Sequence, residues 1–414
     1  MKKTKLLITA LAFALMISAN AQTTITMGAG YADDVFYSMK NGVTGIAARA
    51  DWDLGFYTSP WSAGIITNGG SGIELRLYPY GDTSAWNSID TTGMSGWPIL
   101  YNGEDSWENG AFNRHSLEHP DYGWGVYNTQ SHDVVGDSLY IIKLLDGTYK
   151  KLWIVRKVST ENKYVFRYGN LDNSYEEERT LLNNDYISMN FSYFDFASGS
   201  FFDREPDKTE WDILFTKYQA MQPQGVPYPV VGVLNNVGVK ANRFHPYTVD
   251  FNEWYTLPFD SLKAVIGFDW KYFEMSTFQW SIEDSLLFFV NSLENDVYKL
   301  YFTYFAGTSS GDITFNDELM SLSGFEENAL SSSSLTLSPN PANGHVNLKW
   351  NGNYNGEVNI RVFDLGGKEL INNHVVSTGN AIQHRLDLGQ LNRGMYIVSI
   401  IAGNEVINEK LVIE

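Results

Sequence analysis

The chain has 414 residues, 48 acidic against 29 basic side chains, a net charge of −19 and no cysteine. A field of that sign repels nucleic acid and anionic membrane surfaces. Without thiols there are no disulfide staples, thiolate metal sites or cysteine nucleophile, so the fold rests on buried surface, for which 43% hydrophobic residues supply two or three cores.

The N-terminus reads as an export signal. Lys2, Lys3 and Lys5 form a basic region, Leu6 to Ser18 an apolar one, and Ala19-Asn20-Ala21 a small-residue cleavage site. The apolar run is about 13 residues, short of the roughly 20 that span a bilayer. Residues 1–21 are therefore predicted to be removed, and the mature chain to contain no transmembrane segment. The mature chain keeps all 48 acids and loses three lysines, and most of the imbalance lies in residues 22–333, with 41 acidic and 20 basic side chains.

From there the pattern is β. Tyr140–Leu145, Lys151–Arg156 and Lys163–Tyr168 are short runs rich in aromatic and β-branched residues, and Asp146-Gly147 between two of them is a hairpin signal. Helical spacing is confined to Asp284–Ser292, which its repeat partner contradicts, and to a short stretch near Asp317–Leu322.

An internal duplication organises the central region. Trp52-Asp53-Leu54-Gly55-Phe56 recurs as Trp211-Asp212-Ile213-Leu214-Phe215 at an offset of 159. Asp137-Ser138-Leu139 recurs as Asp284-Ser285-Leu286, Gly147–Lys150 as Asp296–Lys299, and Phe166 as Phe315, at offsets of 147, 149 and 149. The period and common order indicate two related units, at about 30–170 and 205–320. In W-D-x-x-F the Trp and Phe, four apart, are expected on one face of a strand with the Asp on the other. The expected fold is all-β: a duplicated β-sandwich or open barrel over residues 22–325, then a linker at 326–336 and a small immunoglobulin-like sandwich at 337–414.

W-D-L-G-F, the following Thr67-Asn68-Gly69-Gly70 and the D-G-x-Y-x-K-L strand pair resemble the HmuY-type haem-binding family of secreted all-β proteins. The second unit resembles it more loosely, through E-W-D-I-L-F-T-K-Y and P-V-V-G-V-L-N-N. The resemblance implies non-enzymatic binding of haem between two axial His or Met side chains. Candidates in the corresponding insert are Met94, His115, His119 and His132, set among Trp86, Trp97, Trp107, Tyr122, Trp124 and Tyr127; imidazole and thioether both suit haem iron. No motif assigns any of the four to a ligand position, and covalent attachment through C-x-x-C-H is excluded. His115 and His119 would share one face of a helix, although Asn113 and Pro120 suit a turn equally well.

Two other function classes stay open. Trp97 and Trp124 in Gly-rich loops suit stacking on sugars, which would make this a carbohydrate-binding or adhesive surface protein. A hydrolase is the second alternative: Gly136-Asp137-Ser138-Leu139 matches a short esterase pattern, but no histidine has an Asp three residues before it, and no H-E-x-x-H, G-x-S-x-G or Walker sequence occurs.

Past Ser331–Ser334, five strands of five to eight residues alternate with turns. Pro339-Asn340-Pro341, Asp364 and Gly366 in F-D-L-G-G, Gly394 and Tyr396 in L-x-x-G-M-Y, and Lys410 in the terminal K-L-V-I resemble the C-terminal sorting domain of type IX secretion substrates. That implies the type IX machinery as partner and a secreted or cell-surface location.

Overall fold

A computed structural model describes residues 22–222, 225–320, 334–364, 368–402 and 405–413. The export signal, residues 326–333 of the expected linker and Gly366 lie outside them. The chain divides into two compact units at Met320/Ser321. Among the described residues the elements are β-strands and seven short 3₁₀ turns.

In the first unit β1 (Thr23–Thr26), β2 (Asp33–Ser38) and β3 (Gly42–Ala48) precede an eleven-strand block. That block comprises β4 (Leu54–Tyr57), β5 (Ile65–Thr67), β6 (Glu74–Leu77), β7 (Gly125–Tyr127), β8 (Val134–Gly136), β9 (Tyr140–Lys143), β10 (Tyr149–Val158), β11 (Lys163–Asn170), β12 (Glu176–Leu182), β13 (Phe191–Asp195) and β14 (Ser200–Phe202). Eight more follow: β15 (Ile213–Met221), β16 (Pro227–Asn235), β17 (Lys240–Phe244), β18 (Lys271–Glu274), β19 (Gln279–Ile282), β20 (Leu287–Asn291), β21 (Val297–Phe305) and β22 (Asp312–Met320). The windows at Asp284–Ser292 and Asp317–Leu322 are thus strand, not helix, where described; their alternating residues pair across a sheet.

These strands build two sandwiches. In the first, sheet β14-β13-β4-β5 covers a sheet in which β12, β11 and β10 are followed by β9 and β6 along one stretch of β10 and by β8 and β7 along another. Leu54, Phe56, Ile142, Leu152, Ile154 and Phe166 fill the space between. In the second, β16-β15-β2-β3 covers β1-β22-β21-β20-β17 around Val35, Ile213, Phe215, Val233, Leu300 and Phe315. The open-barrel expectation is corrected: among the described residues no sheet of these two sandwiches closes into a barrel. Each sheet buries its apolar face against a partner sheet, which leaves the edges open.

The two sandwiches correspond strand for strand, but in permuted order. β4–β5 answers to β15–β16, β6 to β17, and β9-β10-β11 to β20-β21-β22. β12, β13 and β14 then answer to β1, β2 and β3, which stand at the other end of the chain. The N-terminal segment 22–49 therefore completes the second sandwich, and the expected unit boundaries shift: one half is 52–205, the other 211–320 plus 22–49. Details repeat closely. A bulge interrupts β10 at Ile154/Arg156 and β21 at Phe302/Tyr304. Phe56 stacks on Phe166 at 5.4 Å and Phe215 on Phe315 at 5.3 Å. The bulges set the offset here at 148, so the partner of Lys299 is Lys151, not Lys150; both are buried, each with Nζ on a backbone carbonyl and an asparagine side chain.

The W-D pair is a joint rather than part of the strand. Asp53 Oδ2 accepts the amide of Phe196 at 2.8 Å, and Asp212 accepts those of Met39 and Leu293 at 2.8 and 2.9 Å. Because β4 begins only at Leu54, Trp52 lies with Tyr57, Ile66, Phe191 and Tyr193 on the face opposite Phe56, and Trp211 likewise lies opposite Phe215. The single-face expectation is therefore corrected. These tryptophan faces join the halves, with Trp107 packed against both. Gly69 and Gly70 permit close approach here: a Cβ on Gly70 would stand 1.8 Å from the carbonyl oxygen of Lys217.

The second unit contains β23 (Ser334–Asn343), β24 (His345–Asp364), β25 (Glu369–Asp387), β26 (Gly394–Ala402) and β27 (Glu405–Ile413). Two of the five short strands expected here merge into β24, because the chain passes Asn351/Tyr354 through a bulge instead of a turn. β24 pairs first with β23 and later with β26, around Val346, Leu348, Trp350, Ile360, Val398 and Leu411.

Candidate functional site

The four candidate haem ligands differ in their surroundings. Met94 opens a 3₁₀ turn, Met94–Gly96. His115 is half-buried with Nε2 3.4 Å from the Tyr140 hydroxyl, and burial lowers its pKa. His119 is exposed, 5.2 Å from the Tyr127 ring, and His132 Nδ1 is 2.6 Å from the Tyr127 hydroxyl. The structure therefore brings His119 and His132 to one tyrosine and ties His115 to another. No helix forms from 115 to 119, where Glu118 takes φ 74°. Among the described residues no cluster of three or more His, Asp or Glu is placed to hold a metal ion.

The loop aromatics of the same insert are packed inward. Trp124 is fully buried with Nε1 donating to the Ala63 carbonyl at 2.9 Å. Trp86 is buried and Trp97 packs against it, Tyr78 and Leu139. Trp124 therefore offers no stacking face, and Trp97 is only partly exposed. Ser138 Oγ contacts Asp137 Oδ1 at 2.9 Å and the Gly123 carbonyl at 3.4 Å, with no histidine among its partners.

Exposed aromatics occur singly in the first sandwich, as at Trp61 and Tyr175, but gather on one hairpin in the second, where sequence reasoning placed no site. Hairpin β18–β19 presents Tyr272, Phe273, Met275, Phe278 and Trp280, all at least partly exposed. Sequence holds one signal for it: in Tyr272-Phe-Glu-Met-Ser-Thr-Phe-Gln-Trp280 the apolar residues occupy both faces of a short hairpin, whereas a half-buried strand alternates.

Beside this hairpin runs a groove of about 400 Å³. Its wall stacks Tyr31, from the turn before β2, on Phe305 at 6.0 Å and 4°, with Trp280 edge-on to Phe305 at 5.0 Å. Tyr228, 62% exposed, and Phe268 also line it. Lys271 lies within it over Trp270 and Phe305, at 4.1 and 4.8 Å, and donates to the carbonyls of Val231 and Phe268. Burial pushes its ammonium down to about 7, against the weaker opposing pull of Asp269. Lys217 is half-buried and lowered by burial, with the like charge of Arg49 adding to it. A wider cavity of about 570 Å³ between the halves is lined by loop residues such as Thr58, Ser59, Lys208 and Thr209, with Tyr57 its single ring. The 70 Å³ space at their centre is occupied along one wall by Arg204, held 3.0 Å from both Asp34 and Asp51.

In the second unit the sorting residues cluster at the last strand. Asn340 donates to the Lys410 carbonyl at 2.6 Å and accepts the Val412 amide at 2.9 Å. Gly394 pairs with Ile413 and Tyr396 with Leu411, while the Tyr396 hydroxyl donates to the Asn392 carbonyl at 2.7 Å. Asp364 accepts the Lys368 amide at 2.9 Å across the F-D-L-G-G turn. Pro339 and Pro341 flank Asn340 within β23.

Residues 336–414 match the family model described as "Secretion system C-terminal sorting domain". With that domain the chain is a substrate of the type IX secretion system: it is exported, and the machinery of that system is its partner. No helix among the described residues is long and apolar enough to cross a membrane. No curated protein matches. Among solved structures, the chain is similar to dimeric latent PorU from Porphyromonas gingivalis at 11% identity and a TM-score of 0.18, covering 82% of this chain and 34% of that one. The chain thus spans about a third of that protein's length, and a likeness this slight carries no argument.

Proposed function

We propose that this exported protein is a non-catalytic carbohydrate-binding protein, displayed on the cell surface or released, whose ligand stacks in the aromatic groove of the second sandwich. The observation that carries the reading is the exposed Tyr228 and Trp280 beside a 400 Å³ groove. Flat apolar rings with few fixed polar groups suit the faces of pyranose sugars. Glu205, a buried carboxyl that could serve acid–base chemistry, borders a space of only about 10 Å³, too small for a substrate.

The haem reading implied by the HmuY-type resemblance has His119 and His132 sharing Tyr127 in its favour, while His115 contacts a different tyrosine, Tyr140. Glycan-array binding of the mature chain, repeated with Trp280→Ala and with Trp61→Ala as a control outside the groove, tests the proposal. Loss only with Trp280→Ala supports it. A Soret band on hemin addition that weakens when His119 or His132 is replaced, with no glycan bound, would favour haem instead.

A further inference from the structure

We infer that the groove selects an acidic sugar, with Lys217 and Gln222 receiving its carboxylate; this rests on the carbohydrate reading above. In a chain with 48 acidic residues, none of the groove's lining residues is acidic, while two are lysines. Some lysines elsewhere are neutralised, Lys40 by Glu294, Lys143 by Glu74 and Lys163 by Glu161, at 2.6 to 3.1 Å, and others, such as Lys157 and Lys263, are satisfied by backbone carbonyls. The side chain of Lys217, half-buried on β15, has no hydrogen bond or ion pair among the described residues. The Gln222 side-chain nitrogen, just past the end of β15, is buried and equally without a partner. Burying the unpaired Gln222 amide is costly, and the half-buried Lys217 beside it keeps only part of its hydration. A ligand carboxylate would satisfy both, since it accepts from each while the sugar ring lies on the aromatic wall. The acidic surroundings repel anions at long range, so recognition depends on these short contacts.

The test is calorimetric titration of the mature chain with a trisaccharide of galacturonic acid and, as the neutral match, a trisaccharide of galactose. The acidic sugar is expected to bind at least about tenfold more tightly, the scale of one charge-assisted contact. Lys217→Gln should erase that preference, so that the two sugars bind alike, and Lys217→Arg should retain it. Thermal melting of each variant checks that it is folded. Equal affinities for the two sugars, both lost in Trp280→Ala, would overturn the acidic preference and leave the groove as the site. Binding of neither sugar would overturn both.

Discussion

The two sandwiches share a scaffold to within fractions of an ångström at matched contacts, yet they treat their inserts oppositely. In the first, the stretch between β6 and β9 folds Trp86 and Trp124 into the interior. In the second, the corresponding stretch between β17 and β20 turns a hairpin outward with Phe278 74% and Met275 69% exposed. Structure is held in common by the duplicated strands, and the difference in use lies in the insert, where loops are free to change without disturbing the sheets.

The largest break in that comparison is removal of residues 22–50. The first sandwich loses no strand, whereas the second loses β1, β2 and β3 with the buried Ile25, Val35 and Tyr37. Two-state melting of the first unit should then split, one half melting near the original temperature and the other unfolded throughout. Calorimetry checks this.

Phe56→Ala and Phe215→Ala sharpen the equivalence. Each removes the ring stacked on the closing-strand phenylalanine of its own core, so each should cost about 3–5 kcal/mol. Denaturant titration should give matching losses; a difference above about 2 kcal/mol would mean that the cores are packed unequally.

A smaller contrast is electrostatic. Burial pushes Glu205, from the first sandwich, up to about 7 and Lys271, from the second, down to about 7. The folded state therefore favours neutral Glu205; its contribution is complete below the unfolded carboxyl range and is lost as pH rises through 7. Lys271 acts in the other sense: the unfolded chain holds the proton up to about pH 10, so stability rises as pH climbs from 7 to 10. Glu205→Gln should remove the first slope and Lys271→Met the second, each on the order of 2–3 kcal/mol by urea titration across pH.

Much of the scaffold was legible because it is local. The Asp146-Gly147 turn forms, with Gly147 at φ 83°, and the W-D-x-x-F repeat marks equivalent strands. The permutation was hidden, because β2 and β13 play one role with sequences that share no motif, Asp33–Ser38 and Phe191–Asp195. The face of Trp52 was misread because alternation starts only where the strand does, at Leu54. His115 and His119 have helical spacing, but nothing local shows that the chain bends between them. The groove draws Tyr31, Lys217, Tyr228 and Trp280 from four separate segments, so only the fold assembles it.

Hydrogen exchange of the mature chain with and without bound oligosaccharide tests the central claim most directly. Slowed exchange confined to the groove, at residues 217–222, 226–231 and 268–282, is the predicted result. Slowed exchange at 113–133, around the histidines of the first sandwich, with the hairpin unchanged, would contradict it.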